Sequence, residues 1–424
     1  MNLLPGYDLT KEQRKVILLA LVGGMLECYD FTVYGLFVLY FINQFFPSHN
    51  ALLSVLMGYM VFVVGYIIRP IGGVIFSHIG DEYGRKRVLI ITMFLMGLAS
   101  LGMGLIPTYA QIGIYAPVAM LVLRLLQGLA FGGELPSMIV YTTESMPEKR
   151  GLGVGGSFSG TVCGLVLGMV VNLVLVNILS HEQLANFGWR IPFILGGLLC
   201  IVAYKVRSEL HETAAFKQMK HNVKVPVVEL FRNYFKQVVI GIGLVSLVGT
   251  AIILLIVFMP TYLVKIVKMD PQAIGNVVFV AALVSVISAY LSGILVQRFD
   301  LFKITLAFLL GMIPAAMLCY YLISIQSFLY GGFILFAIFQ GALITLPIVY
   351  LSYLFPPQVR LSGVALSYNI SFVVFGGLTP LWVTGLIEKT GWLYLSPLLF
   401  LCVSIALTTI SVIAARNTPS AISD

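Results

Sequence analysis

Charge is what this 424-residue sequence has least of: Asp, Glu, Lys and Arg supply 10% of it, against 59% apolar residues. A soluble domain carries about 25% charged residues, so a water-soluble globular protein is excluded. Intrinsic disorder, nucleic-acid binding and a secreted disulfide scaffold fall with it. Cysteine is scarce as well. Cys28, Cys163, Cys200, Cys319 and Cys402 stand apart in apolar stretches with no CxxC, which leaves no spacing for zinc. The five histidines, His49, His78, His181, His211 and His221, fall at or beyond the ends of apolar runs, which argues against a His-based proton relay. No Gly-Lys-Ser/Thr occurs, so no phosphate loop can drive the protein with ATP. The GxGxxG at Gly151–Gly156 follows no strand and opens an apolar helix, so it reads as packing rather than nucleotide binding. No metal, no cofactor and no enzymatic constellation is expected.

Apolar length is what remains. A bilayer-spanning helix needs about 20 mostly apolar residues, and twelve runs qualify: 16–46, 52–79, 88–106, 112–143, 152–179, 189–206, 237–264, 271–297, 304–324, 328–353, 361–386 and 392–414. The first starts near Val16 and is far longer than a signal-peptide core. The expected fold is an all-α integral membrane protein of twelve transmembrane helices. Most connections are short; the exception is the polar stretch 207–236, with Arg207, Glu209, Glu212, Lys217, Lys220, Lys224, Glu229, Arg232 and Lys236. It divides the chain into an N-terminal six-helix half, 1–206, a linker, 207–236, and a C-terminal half, 237–424. With the N-terminus inside, 19 of the 25 basic residues fall on the cytoplasmic side and four outside. The positive-inside rule then puts both termini in the cytoplasm.

The halves echo each other. Gln127-Gly128 matches Gln340-Gly341, Arg150 matches Arg360 after a Pro-led loop, and Gly188-Trp189 matches Gly391-Trp392. Two pseudo-symmetric six-helix halves around a central site are the plan of secondary transporters that rock one half against the other.

Ionisable groups inside a membrane are costly and are functional candidates by default. Five are expected at depth: Glu27 and Asp30 in the first run, Arg69 in the second, Arg124 and Glu134 in the fourth. Glu27 and Asp30, three apart, share a helix face that Tyr34 extends. Arg124, Gln127, Phe131 and Glu134 form a second stripe. Three carboxylates against two guanidiniums leave a net −1, so one carboxylate is expected to bind and release a proton. Arg124 matches a substrate carboxylate bidentately, and the negative pair opposite suits an ammonium group. A small zwitterion satisfies both poles. Between the second and third runs, Gly80-Asp81-Glu82-Tyr83-Gly84-Arg85-Lys86-Arg87 is a glycine-flanked turn with its basic residues toward the cytoplasm and Asp81 placed to cap a helix end or pair with a loop arginine. Gly156, Gly160, Gly164 and Gly168 repeat every four residues, so a neighbouring helix can approach closely there.

These stretches resemble the major facilitator superfamily and, within it, the metabolite:proton symporter family. Gly24-Met25-Leu26-Glu27-Cys28-Tyr29-Asp30-Phe31 is similar to that family's Glu-Trp-Tyr-Asp-Phe signature, with Cys28 in place of tryptophan. Arg69-Pro70-Ile71-Gly72-Gly73, the Gly80–Lys86 loop, Arg124-Leu125-Leu126-Gln127-Gly128 with Gly132-Gly133-Glu134, Glu144 with Arg150-Gly151, Trp189–Phe193 and Glu212–Phe216 also fit. In the second half Met259–Leu263, Tyr368–Ser371 and Gly376–Pro380 do so too. The resemblance implies proton-coupled import of a small metabolite through the inner membrane by a protein functional as a monomer, with substrate, protons and lipid as its partners. It implies proton coupling by Glu27, Asp30 and Glu134. Substrate binding would fall to Tyr29, Tyr34, Arg124, Gln127 and Asn369. Gating would fall to Arg69, Gly80, Asp81, Gly84, Arg85, Lys86, Glu144, Arg150 and Arg360. The family carries proline and betaine, and also citrate, ketoglutarate and shikimate. Asn369-Ile370-Ser371 and Gly377-Leu378-Thr379-Pro380 look nearer to the proline/betaine carriers. Organic-acid symport is the alternative, and drug efflux uses the same fold.

Overall fold

In hydrocarbon every backbone N–H and C=O must find its partner within the segment, so an apolar run of this length has to become a helix. The computed structural model describes residues 9–47, 51–218 and 226–418; His49, Lys220, His221 and Lys224 lie outside them. Among the described residues eleven helices are long and apolar enough to cross a membrane. The pair His181–Gly188 and Arg190–Lys205, bent by 44°, makes twelve when counted as one span.

We number the spans α1 (Lys11–Phe45), α2 (Ala51–Ile67 with Arg69–Tyr83), α3 (Arg85–Leu105), α4 (Tyr115–Ser145), α5 (Arg150–Ile178) and α6 (Arg190–Ser208). The second set is α7 (Phe235–Ile252, extended by Ile253–Val257), α8 (Pro271–Leu295), α9 (Leu301–Ser324), α10 (Leu329–Leu343 with Leu346–Leu351), α11 (Arg360–Ser371, Phe372–Gly377 and Thr379–Thr390) and α12 (Leu395–Arg416). Local chemistry sets the starts. Thr10 accepts from the Gln13 amide at 3.1 Å while Gln13 returns a bond to the Thr10 amide, a capping box that opens α1. Asp270 and Asp300 do the same service for α8 and α9, accepting from Ala273 at 2.8 Å and Lys303 at 2.9 Å. Proline and π-helical turns interrupt the second set, at Ile253–Val257 and Tyr262–Ile266 beyond α7 and at Phe372–Gly377 within α11.

Packing follows the small residues. Gly160 lies on the Leu21 carbonyl of α1, Gly164 on Met25 and Tyr29, and Gly156 on Ile17, so the four-residue glycine repeat of α5 is the seat of α1. The other side of α5 meets the second half, with Gly151 and Gly155 against Gly293 and Ala289 of α8. The glycines of the GxGxxG stretch thus serve close helix approach. On the outside Met60, Phe94 and Leu310 stay exposed, as an apolar surface in lipid should. The six helices of each set pack mainly among themselves, while α5 with α8 and α2 with α11 join the two sets.

Alternation of the spans brings Lys11, Tyr83, Arg85, Ser145, Arg150, Ser208, Arg360 and Arg416 to one face of the bundle, here termed the terminal face. Arg416 lies over the Phe302 ring at 4.2 Å, and Lys15 pairs with Glu209 at 3.0 Å on this face. Two short helices, Ala214–Gln218 and Pro226–Asn233, lie in the connection between α6 and α7.

Candidate functional site

Three buried polar groupings lie along the first set of helices. The first surrounds Asp30. Its carboxylate accepts from the Ser100 hydroxyl of α3 and, at 3.8 Å, from the Cys200 thiol of α6. Gln127 of α4 donates to Ser100 at 3.1 Å and to the Asp30 main-chain carbonyl at 3.4 Å, and its own amide oxygen accepts from Arg124. The series Arg124–Gln127–Ser100–Asp30 therefore ties α1, α3 and α4 together, and the Cys200 thiol adds α6. The Arg124 guanidinium is sheathed by Phe31, Tyr34 and Phe62, whose ring centres lie 4.0, 4.7 and 5.0 Å away. Its Nε and Nη2, and Asp30 Oδ1, have no hydrogen-bond partner among the described residues. An unmatched buried polar atom is expensive, and three of them around one carboxylate–guanidinium set mark a place built to change partners.

The second grouping corrects the charge arithmetic. Arg207, read from sequence as a loop residue, is the last buried turn of α6 and pairs with Glu134, which also accepts from Thr92. Arg207 further donates to the Leu89 carbonyl at 3.2 Å and lies over Gly23, where a side chain would collide with it. Three carboxylates now face three guanidiniums, and the expected net −1 at depth becomes neutral. Glu134 is held in a fixed pair. Glu27 is the looser acid: its Oε1 is unpartnered, and Glu134, Arg69 and Arg207 are the charges that act on it. So Glu27 and Asp30, although three apart on α1, serve different surroundings, because α1 is clasped by α5 and enclosed by α4 and α6.

The third grouping lies where the two sets of helices meet. Arg69 sits over Phe131 at 4.1 Å, Phe372 at 5.1 Å and Tyr66 at 5.7 Å, with Nε and Nη2 unpartnered. Phe372 belongs to α11 and stacks on Tyr368 at 4.8 Å. Asn369, on the same helix, donates to the Gly132 carbonyl of α4 at 2.8 Å and so bridges the halves. The hydroxyls of the two expected substrate-binding tyrosines are both engaged by main-chain carbonyls. Tyr29 donates to the Pro192 carbonyl at 3.0 Å and Tyr34 to the Gly58 carbonyl at 3.2 Å, both inside the first set.

At the terminal face the expected loop residues form a closure. Asp81 accepts from the Leu361 and Ser362 amides at 3.3 and 3.0 Å and from the Ser362 hydroxyl at 2.7 Å, capping the start of α11 from the opposite half. Arg85, one of the basic residues placed toward the cytoplasm, is fully buried there, because the turn at Gly84 (φ +111°) folds it inward to Asp81 at 3.4 Å, Glu144 at 3.2 Å and the Pro357 carbonyl at 2.7 Å. Glu144 also holds Arg360 at 3.1 Å and accepts from Thr213 of the inter-half connection at 2.7 Å. The Lys86 amide donates to Glu212 at 3.1 Å, Gly80 makes room for Leu361, and Arg150 lies over Tyr353 at 4.4 Å.

Sequence reasoning missed Ser100, Thr92, Cys200, Arg207 and Thr213, and the rings of Phe31, Phe62, Tyr66 and Phe372. Arg207 left a signal, since a buried Glu134 requires a cationic partner. The rings left none, as aromatics in apolar runs are ordinary packing.

The Major Facilitator Superfamily model matches residues 20–380. A "putative proline/betaine transporter" of Staphylococcus aureus (strain COL) is 32% identical over 390 residues, 90% of this chain and 84% of the relative. A "citrate-proton symporter" of Klebsiella pneumoniae is 30% identical over 380 residues, 87% of this chain and 84% of the relative. Among solved structures, the proton:xylose symporter XylE bound to 6-bromo-6-deoxy-D-glucose superposes with a TM-score of 0.78 at 15% identity, covering 96% of both chains. With twelve spans in two six-helix halves and a family match over most of its length, this multi-pass membrane protein is a transporter, not an enzyme, and belongs to the Major Facilitator Superfamily.

Proposed function

We propose that this chain is a proton-coupled symporter that imports a small carboxylate-bearing zwitterion, such as proline or betaine, across the bacterial inner membrane. The first set of helices, through Ser208, and the second, from Phe235, act as two rocking halves joined by the cytoplasmic linker between them, and one chain suffices. The observation that carries the reading is the Arg124–Gln127–Ser100–Asp30 series, in which a buried carboxylate with a free oxygen sits beside a guanidinium with free N–H groups. Proton uptake at Asp30 removes the charge that Arg124 balances, so the neutral side chain can cross with the rocking half while the guanidinium turns to other anions. Glu27 is the second candidate for the same proton, and Glu134 is paired too tightly with Arg207 to exchange it. The terminal face, read as cytoplasmic from its basic loops, is shut by Asp81, Arg85, Glu144 and Arg360, with Gly80, Gly84, Lys86 and Arg150 shaping the closure. The arrangement is then the outward-facing one.

The zwitterion is favoured because Arg69 and Glu27 offer opposite charges close to the seam between the halves. The likeness to a relative described as a proline/betaine transporter supports it. A second reading, symport of an organic acid, draws on the two guanidiniums with unpartnered nitrogens and on the citrate-proton symporter relative. Reconstituted protein separates coupling from binding: Asp30→Asn should lose gradient-driven accumulation of labelled proline or betaine while retaining counterflow. Accumulation equal to the parent's in both Asp30→Asn and Glu27→Gln would refute coupling through α1.

A further inference from the structure

Arg69 carries a contradiction. Its side chain is 2% exposed, yet two of its nitrogens find no acceptor among the described residues, and beside the Tyr368 hydroxyl three aromatic faces surround the guanidinium. A cation over a ring within about 6 Å is attracted by the negative face of the π system. Tyr66, Phe131 and Phe372 all satisfy this, at 5.7, 4.1 and 5.1 Å, and they come from three helices and both halves. Phe131 is backed by Phe31 at 4.8 Å, Phe372 by Tyr368 at 4.8 Å and Tyr66 by Phe31 at 4.6 Å, so all three rings are held in place by others. Such a box recognises a compact, weakly hydrated cation, and a quaternary ammonium meets that description at least as well as a guanidinium.

We propose that Tyr66, Phe131 and Phe372 form a cation cage, filled in this arrangement by Arg69 itself, that the ammonium group of the substrate takes over while Arg69 swings out to bind the substrate carboxylate. The inference rests on the zwitterion reading above and narrows it to substrates with a quaternary or fully alkylated ammonium. The exchange conserves charge: a zwitterion adds none, one cation replaces another against the rings, and the released guanidinium gains the acceptor that its unpartnered nitrogens lack. Glu27, whose free oxygen is near enough for its charge to act on Arg69, gives the guanidinium a second anion to move toward.

The test uses purified full-length protein and equilibrium binding of three probes: glycine betaine, tetramethylammonium (its cation alone) and 3,3-dimethylbutyrate (its neutral-headed isostere). The parent should bind betaine and bind either half-probe at least about tenfold more weakly. Phe131→Leu and Phe372→Leu, which keep volume but remove the π face, should weaken betaine about tenfold and leave 3,3-dimethylbutyrate unchanged. Arg69→Gln should lose betaine yet bind tetramethylammonium about tenfold more tightly than the parent, because the internal competitor is gone. A role in packing alone predicts a loss for every probe. Unchanged or weaker tetramethylammonium binding by folded Arg69→Gln, or parental betaine binding by both leucine variants, overturns the cage while leaving the transporter reading intact. If Arg69→Gln does not fold, the leucine variants decide. Proline, a zwitterion without a quaternary nitrogen, separates the two readings: a parent that binds proline and not betaine overturns the cage alone, and one that binds neither overturns the substrate assignment and the cage together.

Discussion

Removing the Asp81 carboxylate should unlatch the terminal face. In Asp81→Ala the closed arrangement loses three hydrogen bonds from Leu361 and Ser362, at 2.7–3.3 Å, and the pairing with Arg85 at 3.4 Å. Each bond to a charged acceptor is worth about 1.5–3 kcal/mol, and stranding a buried charge costs about 3–5 kcal/mol. Arg85 is not stranded, since Glu144 and the Gly80 and Pro357 carbonyls still hold it. At the low end of the range the three bonds together amount to about 4.5 kcal/mol, which is roughly a 1,600-fold shift in the open–closed equilibrium. All of these bonds to α11 join opposite halves, so the loss falls on the closed arrangement and not on the stability of either half. Spin labels at Glu148 and Gln297, exposed positions on loops of opposite halves, read the change as a distance distribution. A parent dominated by the short distance should become divided between short and long, with transport slowed far more than equilibrium binding weakens. A variant with the parental distribution and parental turnover would refute the latch, and one with normal turnover but lost binding would place Asp81 at the substrate instead.

The remaining buried charges and the helix seams give two further tests. Arg207→Met leaves Glu134 unpaired in the bilayer and should cost about 3–5 kcal/mol, seen as a lower melting temperature in detergent; adding Glu134→Gln should restore most of it, and an unchanged melting temperature in Arg207→Met would show the pair to be idle. Gly160→Leu forces a side chain onto the Leu21 carbonyl of α1 and should destabilise the fold by about 1–3 kcal/mol or more as overpacking, whereas Gly385→Leu, with open space around it, should melt as the parent does.

The architecture was legible because the bilayer simplifies the problem. Apolar length alone sets the helices, and the runs at 16–46 and 112–143 became α1 and α4 with ends shifted by a few residues. The four-residue glycine repeat of α5 announced a close neighbour, and the partner proved to be α1. Which charges share a pocket was not legible, since three-residue spacing on α1 says nothing about what stands opposite. Asp30 meets Ser100, Gln127 and Cys200, whereas Glu27 lies near Arg69, and only the packing of α3, α4 and α6 decides this. Arg207 misled because it ends a helix beside a basic run, where solvent is the default expectation; it is instead drawn inward by the buried Glu134, as Arg85 is by Glu144, both on α4.

The central claim is that substrate movement carries a proton through the first six helices. Proteoliposomes of the parent chain, with a pH-sensitive dye trapped inside and no imposed gradient, test it directly when proline or glycine betaine is added outside. Internal acidification that follows substrate entry and disappears in Asp30→Asn is the predicted result. Entry of labelled substrate with no proton movement would contradict the account.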